Sequence, residues 1–208
     1  MSLTLFETIR KIVQEELKQV RTADVGVVQE RHPHAEDSDK DNYACTVMLR
    51  DSGIVLKHVP VATDRIGNAC LPEVGNAVLV QFIGGNINAP VISGCLYNDE
   101  DRPPVNSDGQ SILHLPLGSE EGDAVHLELK SGDSRGIVLK LGTGLALTAQ
   151  DDDPVVELTV DGGTASLTIA RDGAVSLKTD GDISINGGTI DIEAQNELNL
   201  KGKTVNIN

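Results

Sequence analysis

Towards the C-terminal end of the chain, apolar residues come in pairs separated by one polar residue, and the pairs recur at a nearly fixed spacing. They are Leu167/Ile169, Val175/Leu177, Ile183/Ile185, Ile190/Ile192, Leu198/Leu200 and Val205/Ile207, whose first members lie 8, 8, 7, 8 and 7 residues apart. Between them stand Asp172-Gly173, Asp180-Gly181, Gly187-Gly188, Asn196-Glu197 and Lys201-Gly202-Lys203. Residues i and i+2 share one face of a strand, and Gly, Asn and Asp readily adopt the positive φ of tight turns. Each unit therefore reads as a short strand followed by a corner, and a short fixed period marks a repeat architecture.

The size of the unit limits what it can build. Two side chains contribute about 1.5–3 kcal/mol each when fully covered, against an ordering cost of about 1–2 kcal/mol per residue. Such a unit cannot hold itself together. A single-chain β-helix wraps coils of about twenty residues or more around its own core, and eight residues make about a third of one. Three identical chains would complete the coil. The expectation is an intertwined trimeric β-helix, or β-prism, with Leu167, Ile169, Val175, Leu177, Ile183, Ile185, Ile190, Ile192, Leu198, Leu200, Val205 and Ile207 as its shared core. Each chain would then cover its sisters' strand edges.

Looser pairs precede the repeat: Leu113/Leu115, Leu127/Leu129, Ile137/Leu139, Leu145/Leu147 and Val156/Leu158. They read as the upper, wider part of the same prism. Eleven levels at about 4.8 Å each would make a rod of about 50 Å. Upstream, Thr4 and Glu7 have capping-box spacing, and Leu5, Ile9, Ile12, Val13, Leu17 and Val20 recur at helical spacing to about Thr22. From Val25 the period changes to two, and five short runs punctuated by Gly, Pro and Asn predict a small antiparallel barrel. The segment from Glu30 to Asn42 reads as a charged, mobile loop. The chain is thus expected to be mainly β, with an N-terminal amphipathic helix over 1–22, a small antiparallel barrel over 23–104 and the β-prism over 105–208.

Residues 71–104 carry a specific resemblance. Pro72, Val74, Gly75, Val78, Val80 and Phe82, then Gly85, then Pro90, Val91, Gly94, Leu96, Tyr97 and Asn98, keep the spacing P-x-V-G-x-x-V-L-V-x-F … P-V-[VI]-x-G-x-L-Y-N, followed by Arg102-Pro103-Pro104. This pattern resembles the OB-fold of contractile-tail spikes, a family that includes phage baseplate assembly protein V and the VgrG spike of type VI secretion. The resemblance implies a homotrimeric spike at the centre of a baseplate, piercing a target cell envelope. Its partners would be hub or tube and wedge proteins, with a PAAR-type protein at the C-terminal tip and transient contact with the target membrane. Protein V spikes often end in a His-x-His motif that holds an apex iron. This chain ends Thr204-Val205-Asn206-Ile207-Asn208, with no His beyond His126, so no apex ion carries over. The pairs resume within about ten residues of the Asn106–Gly109 linker, leaving no room for the lysozyme domain that some hub spikes insert there.

Charge argues against other classes. The formal charge is −15, of which residues 1–104 carry −5 and 105–208 carry −10. Charge of that sign repels phosphate backbones and anionic membranes, and aromatics at 2% with no Trp leave no stacking platform. No nucleic-acid partner is expected. No apolar run approaches a membrane span or a signal peptide's core, so synthesis in the cytoplasm and later incorporation into a tail or particle baseplate are expected. The alternative, an OB-fold/β-helix tail protein that binds or cleaves glycans, would need longer coils and a cleft of paired carboxylates with aromatics.

Candidate chemical sites are weak. Cys45, Cys70 and Cys95 share no metal-ligand spacing and read as buried, reduced thiols. His32-Pro33-His34 with Glu36, Asp37, Asp39 and Asp41 reads as a solvated loop, because nothing brings its two imidazoles together. Successive carboxylates at Asp151–Asp153 point apart, which disfavours calcium. His58, His114 and His126 fall in separate segments with no Ser or Cys nucleophile pattern beside them. No catalytic, cofactor or metal residue is expected, and the role is non-enzymatic.

Overall fold

The computed structural model describes residues 4–20, 22–142 and 144–206. Its contacts divide the chain into two units, Met1–Val105 and Asn106–Asn208.

In the first unit, helix α1 spans Leu5–Gln19. Its capping box is formed: Glu7 N–H donates to Thr4 Oγ1 (3.3 Å), and Thr4 N–H donates to Glu7 Oε2 (2.9 Å). These bonds also hold the Glu7 carboxyl below its ordinary pKa. The helix stops three residues before Thr22, and Leu5, Ile9, Ile12 and Val13 are left exposed on it.

Five strands follow: β1 (Ala23–His32), β2 (Ala44–Leu49), β3 (Val55–Pro60), β4 (Ala77–Phe82) and β5 (Pro90–Leu96). They form one sheet in the order β3-β2-β1-β4-β5, with every ladder antiparallel. The edges approach at a single point, where Val61 makes a parallel bridge to Ile92 and Ala62 N–H donates to the Ile92 carbonyl (2.8 Å). The expected barrel is therefore a strongly curved sheet without a closing ladder. Val28, Cys45, Val47, Leu49, Val59, Leu71, Val78, Val80, Phe82 and Ile92 fill it, all nearly or fully buried. Gly26 is required at its position: a Cβ there would stand 2.2 Å from Val47 Cγ1.

The second unit is a meander of seven antiparallel strands: β6 (Gln110–Leu115), β7 (Val125–Lys130), β8 (Gly136–Leu141), β9 (Leu145–Gln150), β10 (Val156–Val160), β11 (Ala165–Ile169) and β12 (Val175–Thr179). Each strand pairs only with its sequence neighbours, in the order β12-β11-β10-β9-β8-β7-β6. Period-two patterning, with Gly-bearing corners between short runs, favours this arrangement, since a hairpin needs only a few residues to reverse the chain. The repeat and the strands part company after Thr179. Ile183/Ile185, Ile190/Ile192, Leu198/Leu200 and Val205 lie in backbone with no strand partner, and among the described residues no backbone–backbone hydrogen bond lies beyond Asp180. Among the described residues, the strands expected for these pairs do not form within one chain. Ile207 lies outside the described residues.

Candidate functional site

The register of the second sheet aligns its apolar residues into rows. Leu113, Leu127, Leu139, Leu147, Leu158, Leu167 and Leu177 face one another in succession across all seven strands. Beside that row run Leu129, Ile137, Ala149, Val156, Ile169 and Val175. The intervening positions carry Glu128, Val138, Thr148, Glu157, Thr168 and Ser176, and His114, His126, Lys140, Ala146, Thr159, Ser166 and Lys178. Because alternate side chains point to opposite faces, one face is apolar almost throughout and the other is mostly polar.

Among the described residues of this unit, nothing covers the apolar face. Among its described residues only Ala124 and His126 are buried, while Leu113, Leu129, Ile137, Val175 and Leu177 are exposed and the middle leucines are half-buried. The same holds downstream, where Ile183, Ile185, Ile190, Ile192, Leu198, Leu200 and Val205 are all about half exposed or more. A contiguous apolar surface of this kind marks an interaction site. Of the residues expected in a shared core, Leu167, Ile169, Val175 and Leu177 fall together on this face, and the later pairs extend from its last strand as unpaired chain.

In the first unit the motif residues take distinct places. Val78, Val80 and Phe82 are core residues of β4, and Pro72 is buried ahead of it. Gly75 turns the chain at φ +94°. Its N–H donates to the Val28 carbonyl (2.9 Å), and the Asn76 carbonyl accepts from Val28 N–H (3.1 Å), so the turn is seated on β1. Gly85 also has positive φ. Pro90 opens β5, where a missing N–H costs least. Val91 follows on β5, and Gly94 adjoins a bulge between Leu79↔Gly94 and Val80↔Ile92. Asn98 Oδ1 accepts the N–H groups of Glu100 and Asp101 (2.7 and 2.8 Å), fixing the exit turn. Val74, Leu96 and Tyr97 are exposed.

The weaker candidates resolve individually. Only Cys45 is buried, with its thiol pKa raised by desolvation. Cys70 and Cys95 are exposed, against the expectation of three buried thiols. Of the expected loop, Glu30–His32 belong to β1, and the rest is organised around Asp39, which accepts from the N–H groups of Ala35, Glu36 and Asp41 and pairs with His34 Nδ1 (2.8 Å). That pairing and the N–H bonds pull its pKa to about 2. Asp151, Asp152 and Asp153 go to three different partners: Arg135 Nε, the Ser134 hydroxyl and Arg171 N–H. They tie turns together and do not converge.

His114 and His126, distant in sequence, meet through their Nδ1 atoms at 3.2 Å. Ser119 Oγ does come within 3.4 Å of His114 Nε2, a neighbour that sequence spacing did not reveal. However, that hydroxyl donates to the Pro116 carbonyl (2.6 Å), and His114 Nε2 bonds the Ser119 carbonyl (2.9 Å), so Nε2 must carry a proton. A nitrogen that already donates cannot serve as the serine's base, and the pair is not an activated nucleophile.

Residues 26–97, which hold the five-stranded sheet and most of its motif turns, match the family model described as Type VI secretion system/phage-baseplate injector OB domain. The chain is similar to the type VI secretion system spike protein VgrG5 of Pseudomonas aeruginosa, with 45% identity over 40 residues. That stretch covers 19% of this chain and 5% of the relative. The resemblance to baseplate spikes drawn from Pro72–Asn98 therefore holds. No helix among the described residues is long and apolar enough to cross a membrane.

Proposed function

We propose that the chain is the central spike of a contractile injection machine and works as a homotrimer. The observation that carries this reading is the apolar face of the second sheet, continued by unpaired backbone beyond Asp180. Burying that face removes a large apolar area from water at about 25 cal/mol per Å². Pairing the later segments satisfies N–H and C=O groups that, among the described residues, have no backbone partner in one chain. A closed threefold assembly does both at once: three apolar faces turn to one axis, and residues 181–206 of three chains wind around one another.

The proposed division is a helix over 1–22, an OB hub over 23–104 and a spike over 105–208, with the paired residues from Leu167 to Ile207 as the shared core. The hub binds tube and wedge proteins of the baseplate, and a PAAR-type protein caps the C-terminal end. The role is mechanical: a stiff rod with a polar, acidic exterior carries thrust to a small area of envelope and touches the target membrane only in passing. The kinship of residues 26–97 with baseplate structural proteins supports a non-enzymatic part.

Native mass spectrometry of the full chain tests the reading. The expected particle has three times the chain mass of 22.0 kDa. A folded monomer persisting in dilute buffer overturns it.

A further inference from the structure

In the first unit, the imidazoles of His32 and His58 lie face to face, with centroids 4.1 Å apart and planes inclined by 26°. Asp41 adjoins them, with Oδ1 3.8 Å from His58 Nδ1. One donor atom from each of the three residues lies within 4.8 Å of the others. The three come from separate places: His32 ends β1, Asp41 belongs to the loop before β2, and His58 lies in β3. His34, the obvious neighbour in sequence, is instead held by Asp39.

The backbone is bent to make this meeting. Pairing between β2 and β3 slips from Cys45↔Val59 to Val47↔Leu56, so Lys57 and His58 together oppose Thr46. His58 takes φ +50° in this bulge, a left-handed conformation that residues with a Cβ seldom adopt and that clusters at functional sites. Bulges re-aim side chains in this way. Thr46 opposite is buried, and its hydroxyl engages His32 Nε2 (2.8 Å), holding the ring, whose side chain is only 11% exposed. Glu30 Oε2 stands 3.8 Å from the same nitrogen.

We propose that His32, Asp41 and His58 bind a divalent first-row transition-metal ion of the zinc class, stapling the loop after β1 to β3. Two imidazoles and one carboxylate suit such an ion, whereas calcium and magnesium take oxygen ligands. Ligands about 2.1 Å from one tetrahedral ion stand about 3.4 Å apart, so the donors must close by up to about 1.4 Å and the His58 ring must turn out of its stack on His32 until both nitrogens point at the ion. Asp41 and His58 have the room, with side chains 41% and 62% exposed. Thr46 holds His32 Nε2 as the orienting contact that ligating histidines commonly have, which leaves Nδ1 for the ion, and water completes the shell. This inference does not depend on the spike reading.

Calorimetric titration of Zn²⁺ into the metal-stripped full chain near neutral pH is the test. One saturable site per chain is expected, weakened at least tenfold by Asp41→Asn and by His58→Gln, with His34→Gln and His126→Gln binding as the parent does. Asp41→Asn changes an exposed loop side chain and keeps the test open should a His58 variant misfold. Absence of saturable binding overturns the proposal, as does binding that both Asp41→Asn and His58→Gln leave unchanged.

Discussion

The two units solve the problem of a hydrophobic interior in opposite ways. The OB unit curves five strands around a cluster whose central members, among them Val28, Val47, Leu49, Val80 and Ile92, have no exposed surface. The second unit has more strands and a longer row of leucines, yet it buries almost none of them. The difference lies in connectivity. In the first sheet β1 pairs with both β2 and β4, which brings distant strands together and lets the sheet roll onto itself. In the second every strand meets only its neighbours in sequence, and a simple meander has one face with nothing to cover it. A high share of apolar residues does not by itself make a core; the topology must bring a second surface.

The sharpest way to break this contrast is Ile185→Asp. Under the proposed trimer it sets three carboxylates around one apolar axis, and the penalty of several kcal/mol for each buried ion abolishes assembly. Native mass that still shows a heat-resistant trimer would refute the shared core. Next is Leu49→Ala, which empties part of the OB interior and should cost about 2–5 kcal/mol. Denaturant unfolding should report that loss with the subunit number unchanged, because this core is complete within one chain. Gly26→Ala forces a methyl group against Val47 Cγ1 and should cost about 1–3 kcal/mol by overpacking, read in the same transition.

The smallest effect concerns the loop before β2. Asp39 has a folded-state pKa of about 2 against an ordinary 3.8. Its contribution is therefore present above the ordinary value and is lost as pH falls through about 2. Asp39→Asn should remove this acid dependence, with hydrogen exchange at Ala35 and Glu36 already fast at neutral pH. Protection there equal to the parent's would show that other contacts order the loop.

Much of this contrast was legible in the chain itself. Capping-box spacing at Thr4 and Glu7, alternation along β2 and β4, the Gly75 turn and the Pro90 strand start are local, because backbone sterics and side-chain period act over a few residues. The motif from Pro72 to Asn98 carried the baseplate kinship for the same reason: its spacings record turns and strand lengths. Pairing across distance was not legible. Whether Leu147 faces Leu139 and Leu158, whether the chain beyond Asp180 finds a partner within itself, and whether His58 turns towards His32 all depend on register and on one bulge. Those are settled by contacts among residues far apart, whose energies no single segment contains, and so only the tertiary structure could decide them.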